Sequence, residues 1–334
     1  MKEVDYLVIG QGIAGTVFAL QALERGKRVL VIDREEATTC SRVAAGIINP
    51  ITGGRLAKSW RLDELWPAAT AFYSTHGAEC FQTLHLLRLL HEPEHVSQWK
   101  KRQTDPEYQA LCEPGVPEMD PAKLQPHSNA FETNHAGWLN LPKFLDHAKG
   151  LLIEHDAFRS GNVAPTNIQA RLTIWCQGYE AAKTGPFDWV PIRAGKGQIL
   201  DLNIPDLDES RILNRRKWLL PIGQNRYRAG ATFEWDARDR EPTPEGRAEL
   251  ESALRQTIQL PFEVTSHQAA FRPMARQGRP ILGRHPERPD QILFNGLGSK
   301  GVLLAPFFAK HLLDHLETGS TINPEVDVCR FWTS

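Results

Sequence analysis

Residues 6–33, YLVIGQGIAGTVFALQALERGKRVLVID, constrain the fold more than any other part of the chain. An apolar run at 6–9 leads into Gly10-Gln11-Gly12-Ile13-Ala14-Gly15. A helical stretch follows, carrying Ala14, Val17, Phe18, Leu20 and Leu23, and Gly26 ends it. A second apolar run at 29–32 is closed by Asp33. Strand, glycine turn, helix and strand at this spacing predict a βαβ unit that grips a dinucleotide. Gly10 permits the tight turn, Gly12 lets backbone N–H groups approach a pyrophosphate, and Gly15 lets helix and strand pack closely. The helix N-terminus adds partial positive charge. Asp33 stands where a carboxylate accepts hydrogen bonds from an adenosine ribose. The unit alone does not separate NAD from FAD, and Arg34 beside Asp33 leaves NADP open too.

The chain has 334 residues, which suggests about two domains and a large core. Its 41% hydrophobic and 24% charged content is that of an ordinary soluble globular protein. A net charge of -1 supplies no global field toward nucleic acid or an anionic membrane. No apolar run has bilayer-spanning length, so no membrane partner is expected, and the first run is too short for a signal peptide. Cys40, Cys80, Cys112, Cys176 and Cys329 are odd in number and scattered, without a CxxC pair. That argues against a disulfide framework and a zinc site, and fits a cytoplasmic location. His85, His91 and His95, interrupted by Pro93, read as solvated surface rather than a metal site.

Downstream, segments of two characters alternate, with no internal repeat. Small residues come first, Ser41-Arg42-Val43-Ala44-Ala45-Gly46-Ile47-Ile48-Asn49-Pro50 and Thr52-Gly53-Gly54-Arg55. An amphipathic helix follows, with Trp60, Leu62, Leu65 and Trp66 apolar. Residues 91–129, rich in proline and polar residues, read as loops with short strands. A helix is expected over 142–150, with Pro142 in its first turn, and a strand over 172–176 ends in Gln177-Gly178. Strand-like runs follow at 197–202, 217–221 and 227–233, then a helix over 244–258 capped by Thr243. A strand at 291–295, a glycine loop and a helix to about residue 316 close the chain. The predicted class is α/β. A doubly wound Rossmann-type domain (1–80, 136–190, 268–334) is interrupted by a smaller α+β substrate domain with an antiparallel sheet (81–135, 191–267).

A second constellation is Leu293-Phe294-Asn295-Gly296-Leu297-Gly298-Ser299-Lys300-Gly301-Val302. A strand runs through three glycines into a helix whose N-terminus offers unpaired N–H groups. Aimed at an isoalloxazine ring, that positive end would stabilise the charge of a reduced flavin. The same residues also read as a tight turn before a capped helix. Upstream lie Phe271-Arg272-Pro273 and Arg279-Pro280-Ile281-Leu282-Gly283. Pro273 biases Arg272 toward extended backbone, from which a guanidinium can grip a carboxylate at two points. On the residues alone, Arg272 is equally a surface arginine in a charged loop.

Taken in order, these motifs, with AAGIINP, Cys176-Gln177-Gly178 and Gly195-Lys196-Gly197-Gln198, resemble the D-amino-acid oxidase / glycine oxidase class of FAD-dependent oxidoreductases. The resemblance spans nearly the whole chain and is vague only at about 80–135. It implies FAD, with Gly10, Gly12, Ile13, Ala14 and Gly15 holding the pyrophosphate and Asp33, with Arg34 beside it, on the ribose. Ala44, Ala45, Gly46 and Ile47 would border the ring and Gly178 the adenosine end. Gly296, Gly298, Ser299, Lys300, Gly301 and Val302 would meet the flavin's pyrimidine edge. Arg272 within FRP matches the arginine of the family's LRP motif, which commonly binds the substrate carboxylate. Lys300 would supply charge to flavin or substrate, or steer oxygen reactivity.

The implied reaction is dehydrogenation of the C–N bond of a small amino acid or amine by hydride transfer to flavin, with oxygen or another acceptor reoxidising it. Three alternatives stand beside it. One is a flavin-dependent tRNA-modifying oxidase acting on a carboxymethylated amine of a modified base, for which Arg215, Arg216, Lys217 and Arg226 would meet phosphates. The others are an NAD(P)-dependent dehydrogenase and a flavin-binding protein without turnover. Trp218, Tyr227 and Trp235 are candidate pocket aromatics, with core packing as the default for each. The short, proline-rich region before Gly137 departs from the family pattern and points to a reduced or differently covered substrate domain.

Overall fold

The computed structural model describes residues 2–115, 117–162, 168–183, 185–235 and 237–332. The opening unit is β1 (Lys2–Ile9), α1 (Ile13–Glu24) and β2 (Val29–Asp33). β1 and β2 pair in parallel, Tyr6 against Val29 and Ile9 against Ile32. Their near-continuous apolar runs suit strands covered on both faces, and Tyr6, Val8, Leu30 and Val31 have no exposed surface. α1 is buried nearly all round, with Val17, Phe18 and Ala19 fully covered. It lies against the helices Leu141–Glu154 and Gly301–Thr318. Gly26, at φ +70°, takes the left-handed turn that releases the chain into β2.

This sheet has six strands, in the order Ile281–Arg284, Gln291–Asn295, Ile168–Trp175, β1, β2, Phe158–Ser160. All neighbours are parallel except the first pair. β1 has β2 on one side and Ile168–Trp175 on the other, so the winding reverses there. Open α/β sheets bind ligands at the carboxyl ends of strands at such a reversal.

The second sheet has nine strands and is antiparallel apart from Ile212–Asn214, which runs parallel to Phe81–Leu90. Its long members are Phe81–Leu90, Asn129–Leu139, Arg193–Asn203 and Glu263–Met274, and Ile47–Ile48 forms one edge. The fold is thus mixed α/β, a Rossmann-type dinucleotide domain with a strand-rich domain, as the sequence predicts. Asn129–Leu139 and Glu263–Met274 run unbroken through residues 136 and 268, where the sequence reading sets domain junctions.

Residues 91–129 depart from the expected loops and short strands, since they hold the helices Pro93–Arg102 and Pro106–Gln109. Proline opens each at a position where its missing N–H costs nothing, and the former buries only Trp99, stacked 3.9 Å from the Phe131 ring. A short helix opened by proline, with only Val96 and Trp99 apolar, reads in sequence as a polar loop. Within the histidine group read as solvated surface, His85 is exposed and His91 differs. His91 is mostly covered and accepts a hydrogen bond from Arg216 Nε at 2.9 Å, because Arg216 folds back over it. Tyr227 is core, Trp235 is exposed, and Trp218 lines a cavity. Among the described residues no helix is long and apolar enough to cross a membrane.

Candidate active site

A cavity of about 550 Å³ lies at the carboxyl ends of β1, β2 and Ile168–Trp175, and residues of both sheets line it. Its wall includes Gly10, Gly12, Ile13, Ala14, Asp33, Arg34, Ala44, Ala45, Gly46, Ile47 and Gly178. Gly298, Ser299, Lys300, Gly301, Val302 and Arg272 complete the set of sequence candidates found there. Gly15 and Gly296 do not line it. A Cβ on Gly15 would sit 1.9 Å from the Gly10 carbonyl oxygen, so its glycine serves the contact of α1 with the turn. Gly296, at φ +72°, is packed against Ala275 and Ile281.

At one end of the cavity, Asp33 accepts backbone N–H groups from Gln11 at 2.7 Å and Glu35 at 2.6 Å. A carboxylate has about four acceptor positions, so Asp33 fixes the turn and keeps capacity for hydroxyl donors. Gly12 gives α1 no side-chain cap, and Ser41 Oγ accepts only the Ile13 N–H, at 3.0 Å. The rest of that first turn is left to an anion. Gly301 also approaches Ile13, so the N-termini of α1 and of the helix Gly301–Thr318 converge on the cavity.

Several residues that frame the cavity carry no local signal in the sequence. Arg240 donates to Glu36 and to Glu180, both at 2.8 Å, and closes one side. Its guanidinium holds the Glu36 carboxyl below the usual range. Arg228 pairs with Asp201 at 2.8 Å and donates to the carbonyls of Val43 and Ala44 at 2.8 and 3.1 Å, which anchors the AAG segment. Asn295 donates to the Gly178 carbonyl and accepts the Gly296 N–H, both at 2.8 Å, tying two glycine loops together. Only Asn295, directly before a quoted glycine loop, stands where sequence could have suggested it.

Toward the second sheet, Arg272 stands opposite Gly195 in antiparallel register. Its guanidinium lies over Gly197, where a Cβ would come within 2.0 Å of Nη2. It donates only to backbone carbonyls, Thr232 at 3.3 Å and Lys196 at 3.5 Å, and has no carboxylate partner among the described residues. Burial pushes its pKa down. Lys300 is the N-cap of Gly301–Thr318, with Nζ 3.5 Å from Ser59 Oγ. Burial and then the charge of Arg279 lower its pKa.

Residues 5–315 match the DAO family, described as FAD dependent oxidoreductase, and the chain belongs to it. It is therefore an FAD-dependent oxidoreductase of that family. The solved structure of glycine oxidase from Geobacillus kaustophilus superposes with a TM-score of 0.81 at 17% identity, covering 100% of this chain and 99% of that one. That of iminodiacetate oxidase from Chelativorans sp. BNC1 gives 0.76 at 22% identity, covering 98% of each. A curated relative, the tRNA 5-methylaminomethyl-2-thiouridine biosynthesis bifunctional protein MnmC of Marinobacter nauticus, is 24% identical over 93% of this chain and 55% of its own length. The chain spans about half the length of the curated relatives it matches. FAD fits the cavity described above, which offers an uncapped helix N-terminus beside glycine backbone, a carboxylate with spare acceptors, and a second helix N-terminus next to the first.

Proposed function

We propose that this protein dehydrogenates the C–N bond of a small amino acid or amine, with Arg272 gripping the substrate carboxylate. The observation that carries this reading is a guanidinium in the cavity wall, beside the last glycine loop, with no carboxylate partner among the described residues. A half-buried cation held by backbone carbonyls and the face of the Phe233 ring has unspent donors and an unmet charge. A substrate carboxylate supplies both partners. When bound, FAD supplies the hydride acceptor and carries the redox chemistry. Gly10, Gly12, Ile13 and Ala14 would hold its pyrophosphate, Asp33 and Arg34 its ribose, and Gly178 the adenosine side. Ala44 to Ile47 and Gly298 to Val302 would border the ring, and Lys300 would add positive charge there. No side-chain base is required if the amine binds neutral, and the chain's task is orientation.

The tRNA-modifying alternative has a relative's name in its favour. Of its four basic residues, however, Arg216 pairs with Glu92 and Lys217 with Glu249, while Arg215 donates to the carbonyls of Pro126 and Gln256 and Arg226 is exposed. The two ion pairs reduce the charge this segment offers to a phosphate backbone, which favours the small-molecule reading.

The direct test is an anaerobic visible spectrum of the holoprotein before and after glycine, sarcosine and D-amino acids. Bleaching of the flavin bands by one of them is expected, and a flavin that no small amine reduces would refute the reading. Gly197 supplies a second test. Gly197→Ala should push the guanidinium aside and raise the KM for a carboxylate-bearing substrate about tenfold, since ångström-scale misplacement carries penalties of this order or more. FAD content should stay at the wild-type level. A KM within twofold of wild type would show that Arg272 does not hold the carboxylate.

A further inference from the structure

The cavity beside Arg272 adjoins a second one of about 690 Å³, and the two share Asn49, Asn214, Trp218, Ala231, Arg272 and Ser299. Arg88, from the strand Phe81–Leu90, lies in the wall of the second. It is 8% exposed. Its Nη1 donates to Asn214 Oδ1 at 2.7 Å and its Nη2 reaches the Gly53 carbonyl at 3.5 Å. Its Nε is buried without an acceptor, and no carboxylate of the described residues pairs with it. A guanidinium has five N–H donors, so most of these are unspent. Burial alone draws its pKa down from the arginine range to about 10.

A cation buried without a counter-charge is a standing destabilisation. Holding Asn214 and Gly53 in place does not explain it, because a neutral amide would make the same two bonds. The surroundings sharpen the point. Arg215, Arg216 and Lys217 also line this cavity, and among the described residues Glu92 is the one carboxylate that lines it. Arg216 takes Glu92 at 3.2 Å, Lys217 pairs outward with Glu249, and Arg215 donates to the carbonyls of Pro126 and Gln256. With Arg216 and Lys217 paired, Arg88, Arg215 and Arg272 supply the positive charge of this wall, and a concave wall focuses such charge on whatever enters.

The geometry points to a dianionic substrate: an amino acid whose carboxylate meets Arg272 and whose far end carries a second carboxylate or a phosphate for Arg88. This rests on the reading that Arg272 holds the first carboxylate, and it adds what lies beyond the reacting bond. Arg88 is then a specificity-determining residue, matched to the substrate's second charge.

The test uses the holoprotein and ligands that cannot be oxidised, so it does not depend on turnover. Succinate, glutarate and adipate are titrated against butyrate, valerate and caproate, read by perturbation of the flavin spectrum and by calorimetry. At least one dicarboxylate should bind tenfold or more tightly than the monocarboxylate of equal length. Arg88→Gln should bring that ratio close to one, and Arg88→Lys should keep part of it. Asn214→Asp, which sets a carboxylate against Nη1 without removing the guanidinium, should also erase it. 3-Phosphonopropionate replaces one carboxylate of succinate by a phosphonate, and whichever of the two binds better names the second anion. A wild-type ratio near one, or a ratio that survives both Arg88→Gln and Asn214→Asp, would overturn the proposal. Failure of the dehydrogenation reading would look different, with tight dicarboxylate binding to a flavin that no amine bleaches.

Discussion

Gly15→Ala is expected to yield a protein that emerges without FAD and unfolds at lower denaturant than wild type. The new methyl would lie 1.9 Å from the Gly10 carbonyl oxygen and 3.1 Å from Val8 Cγ1. Neither neighbour can turn away, since one is backbone of the glycine turn and the other belongs to β1, where Val8 is fully buried. α1 must therefore lift off the sheet. Overpacking of this kind costs about 3 kcal/mol, and it also draws the helix N-terminus away from the place a pyrophosphate would occupy. Loss of cofactor and loss of stability should appear together, because one contact sets both. The measurement is the flavin-to-protein absorbance ratio of the purified variant, with a urea unfolding curve beside it. A yellow, fully loaded Gly15→Ala protein with unchanged unfolding would show that the α1 contact does not govern cofactor binding.

The same glycine marks how far sequence reaches into this fold. The βαβ unit was legible because each of its needs is local: a turn, a close helix contact and a carboxylate at the strand end follow one another within a few tens of residues. Thr243 was legible for the same reason, and its hydroxyl does accept the Gly246 N–H. Gly46 lies in a quoted motif, yet its reason is remote. At φ +80° it brings its backbone against the strand Asn129–Leu139, where a Cβ would strike the Leu139 carbonyl at 1.9 Å. Arg240, Arg228 and Arg88 escaped notice because an arginine's meaning depends on which carboxylate, or which absence of one, the tertiary fold sets before it. Among the basic residues at 211–228, Arg211, Arg216, Lys217 and Arg228 are ion-paired within the fold, a pairing that charge density in sequence does not disclose. Pro93–Arg102 stayed hidden because its proline start and low apolar content, Val96 and Trp99 alone, resemble those of a polar loop.

Arg272→Lys should keep the flavin and lose the substrate. The variant retains the positive charge but replaces a planar fork by a single ammonium on a shorter reach, and the two are not equivalent where a carboxylate is held at two points. Gly197 leaves a space shaped for a guanidinium, which an ammonium would fill poorly. Truncating one partner of a buried, hydrogen-bonded charge pair costs roughly 2–5 kcal/mol. An affinity loss of about 100-fold is therefore expected for a carboxylate-bearing amine, with a still larger loss in Arg272→Met. If the grip also sets the angle of the reacting C–H bond, the rate of anaerobic flavin reduction should fall together with affinity, since orientation contributes to the barrier. Rapid-mixing reduction separates the two, giving a limiting rate and a dissociation constant for each variant. An amine without a carboxylate supplies the internal control, because its reduction of the flavin should be the same in wild type and Arg272→Lys. Equal losses for both kinds of amine would assign Arg272 to the shape of the cavity, and a dissociation constant within threefold of wild type would remove it from substrate binding.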